Sequence, residues 1–212
     1  MPEFHELLHG YRRFRTEGYP KQKARYDKLV DEGQHPKLMI ISCSDSRVDP
    51  AQIFDVDPGE IFVVRNVAAL VPPFETTPGQ HGVSAAIEFA VQVLKVRQIV
   101  VMGHGRCGGC KAALTQELHG NVPGEGGFVA NWVHLLDDAR APVAAKHGIE
   151  SREAELEMEF AAVGVSIENL KTFPFVREAV ERGELKLRGT HFSIAEGVLY
   201  LRDEESGEFA PV

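Results

Sequence analysis

Three short apolar runs limit what this chain can become. They occupy residues 37–42, 60–65 and 97–103, and each is unalternating and rich in β-branched side chains. That is the pattern of parallel strands buried on both faces. Between the second and third runs, residues 82–94 are Ala-rich and read as a well-buried helix. Strand, helix, strand is a βαβ unit. The expectation is an α/β fold: a Rossmann-like, mainly parallel sheet flanked by helices.

The flanking segments add helices and a closing hairpin. Residues 1–35 predict an amphipathic helical arm, with Phe4, Leu7, Leu8 and Tyr11 at helical spacing. A second helix follows Pro20, and Gly33 stops it. Beyond residue 107 the chain reads as helix to about residue 118, a Gly-rich loop over 120–127, then helices over 128–146 and 151–171. Phe160, Val163, Ile167 and Leu170 form one stripe of the last of these. Pro174 opens a short helix that Gly183 ends. Residues 184–188 alternate and predict an edge-type strand, and 192–194 with 198–201 predict the hairpin. With no repeat, linker or low-complexity tract, residues 1–212 read as one domain.

Charge and cysteine count narrow the function. The 31 acidic and 23 basic residues give a net charge of −8, which disfavours nucleic-acid and anionic-membrane binding. No apolar run approaches the length of a membrane span, and the first residues lack the apolar core of a signal peptide. Three cysteines, Cys43, Cys107 and Cys110, do not make a disulfide scaffold. A cytoplasmic, reducing compartment is expected, where cysteines serve metals or catalysis.

Chemistry gathers just after the strand ends: residues 42–47, 65–68 and 103–110. Ligands of open parallel sheets bind at the carboxyl ends of strands. Topology therefore brings Cys43 near His104 and Cys107. Two thiolates and one imidazole suit zinc, and three protein ligands leave a fourth position for water. Cys107 is expected to start a helix, which favours its thiolate. Asp45 and Arg47 stand on the turn after Cys43. One reading is a plain salt bridge; the other is that Arg47 keeps Asp45 ionised and aimed at the metal.

The motif formed by Cys43, Asp45 and Arg47, followed by His104, Cys107, Gly108 and Gly109, resembles the β-class carbonic anhydrases over nearly the whole chain. The resemblance implies Cys43, His104 and Cys107 as ligands of one zinc ion per chain, with Asp45 and Arg47 as a catalytic dyad. It implies reversible hydration of CO2 to bicarbonate and a proton by zinc-generated hydroxide. Gln34 matches a substrate-binding glutamine, and Phe62 and Val67 match an apolar pocket wall. These residues come partly from a second subunit, which implies a homodimer or homotetramer with residues 1–35 as an arm for contacts between copies. Ile40 and Ser42 stand where the bicarbonate-regulated branch has Trp and Gly, so the chain resembles the plant-like branch with open zinc.

Phe89 stands where that pocket often has Tyr, and Cys110 where an aliphatic residue is usual. Cys110 reads as a small buried residue; the alternative is a fourth ligand closing a structural, non-catalytic site. Other substrates of the same hydroxide are carbon disulfide and carbonyl sulfide. Gly108, at the helix start, offers its N–H to a bicarbonate oxygen. Residues 150–159, with five glutamates, read as an exposed helix. Trp132 reads as core or subunit interface. The remaining histidines, including His191, read as surface residues, with a proton-shuttle role open to each.

Overall fold

A computed structural model of the chain describes residues 3–212. Six strands form one sheet: β1 (Leu38–Cys43), β2 (Ile61–Asn66), β3 (Gln98–His104), β4 (Lys186–Ser193), β5 (Val198–Arg202) and β6 (Phe209–Pro211), in spatial order β2-β1-β3-β4-β5-β6. The first four are mutually parallel, and β5 and β6 add antiparallel. The α/β expectation holds. From β1 the chain moves out to β2, then crosses back over β1 to reach β3. The order reverses between β1 and β3, and such a reversal leaves a crevice at their carboxyl ends.

The three apolar runs are strands, each ending one residue later than the apolar pattern suggests. The ladder carries on through polar residues: Cys43 pairs with Asn66, and His104 with Phe192. The side chains of β1 alternate between two cores. Met39 and Ile41, with Ile99 and Val101, meet Ile87, Leu170 and Phe173 on one face. Ile40 and Met102 meet Leu114, Leu136 and Met158 on the other. Fully burying one such side chain contributes about 1.5–3 kcal/mol. Strand β2 departs from the expected burial. It is the sheet's edge in this chain, with Val63 and Arg65 exposed. The alternating segment 184–188 does not make an edge strand. It begins β4, which lies between β3 and β5. Its alternation has another cause: Leu187 faces the core while Lys186 faces solvent. Residues 192–194 continue the same strand, and β4 with β5 forms the hairpin.

Helices α1 (Phe4–Arg13) and α2 (Tyr19–Glu32) are joined by one wider, π-type turn over Phe14–Gly18 rather than by a break. Pro20 follows directly on this wider turn, which accommodates the proline within a helix that runs on unbroken, and Gly33 ends α2 at φ 80°. None of these helical residues is buried. Phe4, Leu7 and Tyr11 stay more than half exposed. A single turn, α3 (Pro50–Ile53), is capped by the Asp49 side chain. The Ala-rich stretch forms α4 (Gly82–Glu88) and a π-type turn over Phe89–Val93. Only one face of it is buried, through Ile87, Ala90 and Val91, while Phe89 and Val93 are exposed.

After Cys107 comes α5 (Gly108–Thr115), shorter than expected. The single helix expected over 128–146 is two, α6 (Gly127–Val133) and α7 (Asp137–His147), separated by a 3-10 turn. Helix α8 (Arg152–Thr172) starts at a Ser151 cap whose Oγ accepts from Ala154 N–H. It spans both cores, Met158 and Ala162 facing one and Val163, Ile167 and Leu170 the other. Helix α9 (Pro174–Glu181) completes the layer. No helix among the described residues is long and apolar enough to cross a membrane.

Candidate metal centre and active site

Cys43 is the last residue of β1, His104 the last of β3, and Cys107 the N-cap of α5. One ligand atom from each, a sulfur or a ring nitrogen, lies within 4.8 Å of the other two, and all three residues are buried. The chain doubles back between His104 and Cys107 through Arg106, whose φ of 59° is left-handed. That conformation costs a residue with a side chain about 1–3 kcal/mol.

His104 Nδ1 lies 2.9 Å from the carbonyl oxygen of Gly105. That contact places the proton on Nδ1 and leaves Nε2 as a bare lone pair. Nε2 is buried with no hydrogen-bond partner. A hydrogen bond with Cys107, then burial, push the Cys43 thiol up to about 12. Chiefly through a hydrogen bond with Cys110, the Cys107 thiol is likewise pushed up to about 12. Two thiols that resist ionisation and one unpartnered imidazole nitrogen form a donor set that a divalent, thiophilic cation satisfies. Zinc fits it. Cys110 is buried beside Cys107 but does not join the three-residue group.

Asp45 and Arg47 form a bidentate pair: Nε to Oδ1 at 2.9 Å and Nη2 to Oδ2 at 2.7 Å. The Arg47 N–H also donates to Oδ1. These donors hold the Asp45 carboxyl far below the usual carboxylate range. Its Oδ2 lies 4.0 Å from His104 Nε2, at the edge of the metal centre. Arg65, at the end of β2, was not singled out by sequence reasoning. It donates to the carbonyl oxygens of Cys43 (2.9 Å) and Asp45 (2.6 Å) and pairs with Asp49. One guanidinium thus ties down the turn that carries the first thiol and the dyad.

Glu159 overturns the exposed reading of residues 150–159. It is 2% exposed, and its carboxylate accepts from Arg106 N–H at 2.7 Å, Arg152 Nη1 at 3.0 Å and His191 Nε2 at 3.0 Å. His191 is not a surface residue either; it is 1% exposed. Burial works to raise the Glu159 pKa, but hydrogen bonds from His191 and Arg152 overcome it and leave the carboxyl below the usual range. Glu159 therefore grips the left-handed residue between His104 and Cys107. The carbonyl oxygen of that same Arg106 accepts from Arg47 Nη2. The signal was in the spacing: residue 159 falls on the buried stripe of 163, 166 and 170.

The expected substrate residues divide. Gly108 opens α5 next to Cys107, and Val67 follows the end of β2 beside it. A Cβ on Gly109 would lie 2.7 Å from Val67 Cγ1 and 2.9 Å from Ala68 Cβ. Trp132 is partly buried, and its Nε1–H donates to the Val67 carbonyl, fixing this wall. Gln34, Phe62 and Phe89 are not brought to the metal centre. Gln34 is exposed before the amino end of β1. Phe62 pairs in register with Met39 and packs on Phe89 with ring centroids 5.8 Å apart.

Comparison with known proteins agrees with this geometry. The family model described as carbonic anhydrase matches residues 38–199. Beta carbonic anhydrase 3 of Arabidopsis thaliana is 36% identical over 193 residues, 91% of this chain and 74% of that protein. The solved β-carbonic anhydrase CcaA superposes with a TM-score of 0.88 at 30% identity, covering 98% of this chain and 91% of its own. A tetrameric β-carbonic anhydrase from Sordaria macrospora gives a TM-score of 0.80 at 31% identity, over 93% and 95% of the two chains. A family match spanning most of the chain, together with a Cys-His-Cys group at the sheet's switch point, leads to one conclusion: this chain belongs to the β-carbonic anhydrase family, zinc enzymes that hydrate CO2.

Proposed function

We propose that Cys43, His104 and Cys107 hold the zinc of this carbonic anhydrase, and that Asp45 and Arg47 are its catalytic dyad. Zinc held there would supply a water of lowered pKa as the nucleophile for CO2. Asp45, ionised because Arg47 grips it, accepts a hydrogen bond from that water and orients it. Arg47 is held in turn by Arg106 O. The N–H of Gly108 is one of the unpaired donors of the first turn of α5 and meets the oxygen that develops charge. Val67 supplies an apolar wall for an apolar substrate. The observation that carries this reading is the convergence of three ligand atoms within 4.8 Å beside an intact Asp–Arg pair.

Since both Asp45 oxygens are engaged by Arg47, the carboxylate is not free to close the metal's fourth position. That supports the open-zinc, plant-like branch. Gln34, Phe62 and Phe89 complete the pocket of a second copy, in a homodimer or homotetramer. The exposed apolar faces of α1, β2 and Phe89 support that assembly, with residues 1–35 as the arm within one domain over 1–212. Three free cysteines suit a cytoplasmic, reducing compartment.

Stopped-flow CO2 hydration on protein of assayed zinc content tests the assignment. One zinc per chain and activity rising smoothly above neutrality are expected, because two thiolates donate more charge than imidazoles and acidify water less. Cys43→Ser or Cys107→Ser protein that kept full zinc would refute the ligand set. Steep activation confined to alkaline pH would refute the open resting state.

A further inference from the structure

We propose that Cys107 and Cys110 form a redox couple, in which a peroxide converts the pair to a disulfide and strips the metal centre of one donor until a thiol reductant restores it. The inference rests on the assignment of Cys107 as a zinc ligand. Cys107, Gly108, Gly109 and Cys110 open α5, with Cys107 as its N-cap and Cys110 as its third residue. Helical geometry puts the Cα atoms of residues three apart at about 5 Å, inside the Cα separation that a disulfide spans. Both cysteines are free thiols in the same buried cluster. Cys110 takes no part in holding the metal or in the hydration step. A Cβ built on Gly108 meets nothing within 4 Å, so the helix start between the two thiols opens on free space. Peroxide is of the same size class as CO2, and the proposal has it reach Cys107 by the substrate's route.

The chemistry balances. The Cys107 sulfur attacks one peroxide oxygen, the O–O bond breaks and the other oxygen leaves as water. The Cys110 sulfur then attacks the oxidised sulfur, the S–O bond breaks and a second water leaves with the Cys110 proton. One peroxide is reduced and two thiols become one disulfide. A dithiol reductant reverses this by exchange. The Cys43 thiol competes for Cys107, but it is fixed at the end of β1, whereas Cys110 is one turn away on the same helix.

The test treats zinc-loaded enzyme with hydrogen peroxide. It follows zinc release with a chromogenic chelator, free thiols by titration, the linkage by non-reducing peptide mapping, and CO2 hydration. Expected are loss of two thiols with one zinc per chain, a peptide joining Cys107 to Cys110, and hydration reduced roughly tenfold or more. Dithiothreitol with added zinc restores it. Cys110→Ala and Cys110→Ser proteins should start with wild-type zinc and hydration, yet give no such peptide and no reductant-recoverable loss. A linkage between Cys43 and Cys107, or Cys110 variants that lose and regain activity like wild type, would overturn the couple. Untreated protein without zinc, or Cys110 variants without it, would overturn the ligand assignment instead.

Discussion

Glu159→Ala is the substitution that tests how the metal centre is held. It removes the acceptor of three donors at once. The Arg106 N–H is left without its partner, and an orphaned buried N–H costs about 1–3 kcal/mol. Removing one member of a buried ion pair typically costs about 3–5 kcal/mol. Here the Arg152 side chain is 38% exposed and keeps a contact to Glu155 at 3.2 Å, so it rehydrates in part and the lower end applies. The expected loss is about 3 kcal/mol, a fall in Tm of roughly 6–12 °C for a chain this size. Glu159→Gln keeps an acceptor for Arg106 and should cost about 1–2 kcal/mol. Urea unfolding at fixed protein concentration reads these values. The second readout is zinc dissociation into a chelator, because Glu159 acts on His104 and Cys107 only through the Arg106 peptide. A weakening of roughly 10–100-fold is expected for such an outer partner. The pH dependence has a definite sign. The folded pKa lies below the ordinary glutamate value of about 4.3, so the carboxylate's stabilisation is full above that value. It is lost as pH falls through the folded pKa. Wild type should lose stability in that acid window, and Glu159→Gln should show a flatter profile there. If Glu159→Ala unfolded within about 0.5 kcal/mol of wild type and released zinc at the same rate, the anchoring argument would be wrong.

Other outcomes follow from the same contacts. Asp45→Ala should keep one zinc per chain but lose most turnover; full turnover would remove Asp45 from the mechanism. Gly109→Ala drives a methyl to 2.7 Å from Val67 Cγ1 and 2.9 Å from Ala68 Cβ, so it should cost about 1–3 kcal/mol in thermal unfolding, and an unchanged Tm would mean the wall yields. Deleting residues 3–32, none of which is buried in α1, α2 or the turn between them, should leave the sheet folded while light scattering shows a smaller assembly; an unchanged mass would free the arm of that role.

The sheet and the metal donors were legible because each announces itself locally. Apolar runs mark β1 and β3, and the residues that end them, Cys43 and His104, are chemically conspicuous. The anchoring network was not, because its members look ordinary in one dimension. Glu159 sits in a run of glutamates, and only its place on the stripe with Val163 and Leu170 separates it from its exposed neighbours. Arg65 ends a strand whose polar tail reads as a boundary. The true position of β4 was hidden for a different reason. Alternation reports that one side of a strand meets solvent, whereas lateral position in a sheet depends on β5 and β6, which come later in the chain and pair from the far side.

On the site proposed above, the same geometry would leave one chain with a metal centre yet only part of a pocket. Cys43, Asn66 and His104 end their strands at one edge of the sheet, whereas Gln34 and Phe62 belong toward the other. Phe62 is four residues before Asn66, about 13 Å along an extended strand, so no side-chain rearrangement carries it to the zinc ligands of its own chain. A two-fold axis removes the difficulty, since an isologous interface uses one patch twice. In the proposed dimer, the amino-end residues of each copy would face the carboxyl-end crevice of the other. Uncovered apolar residues are available to the proposed interface: Val63 on the edge strand, Phe89 against Phe62, and Val67 beside the helix that follows Cys107. On this arrangement zinc retention belongs to the single chain and turnover to the pair. Dilution to monomer should therefore abolish hydration before it releases metal.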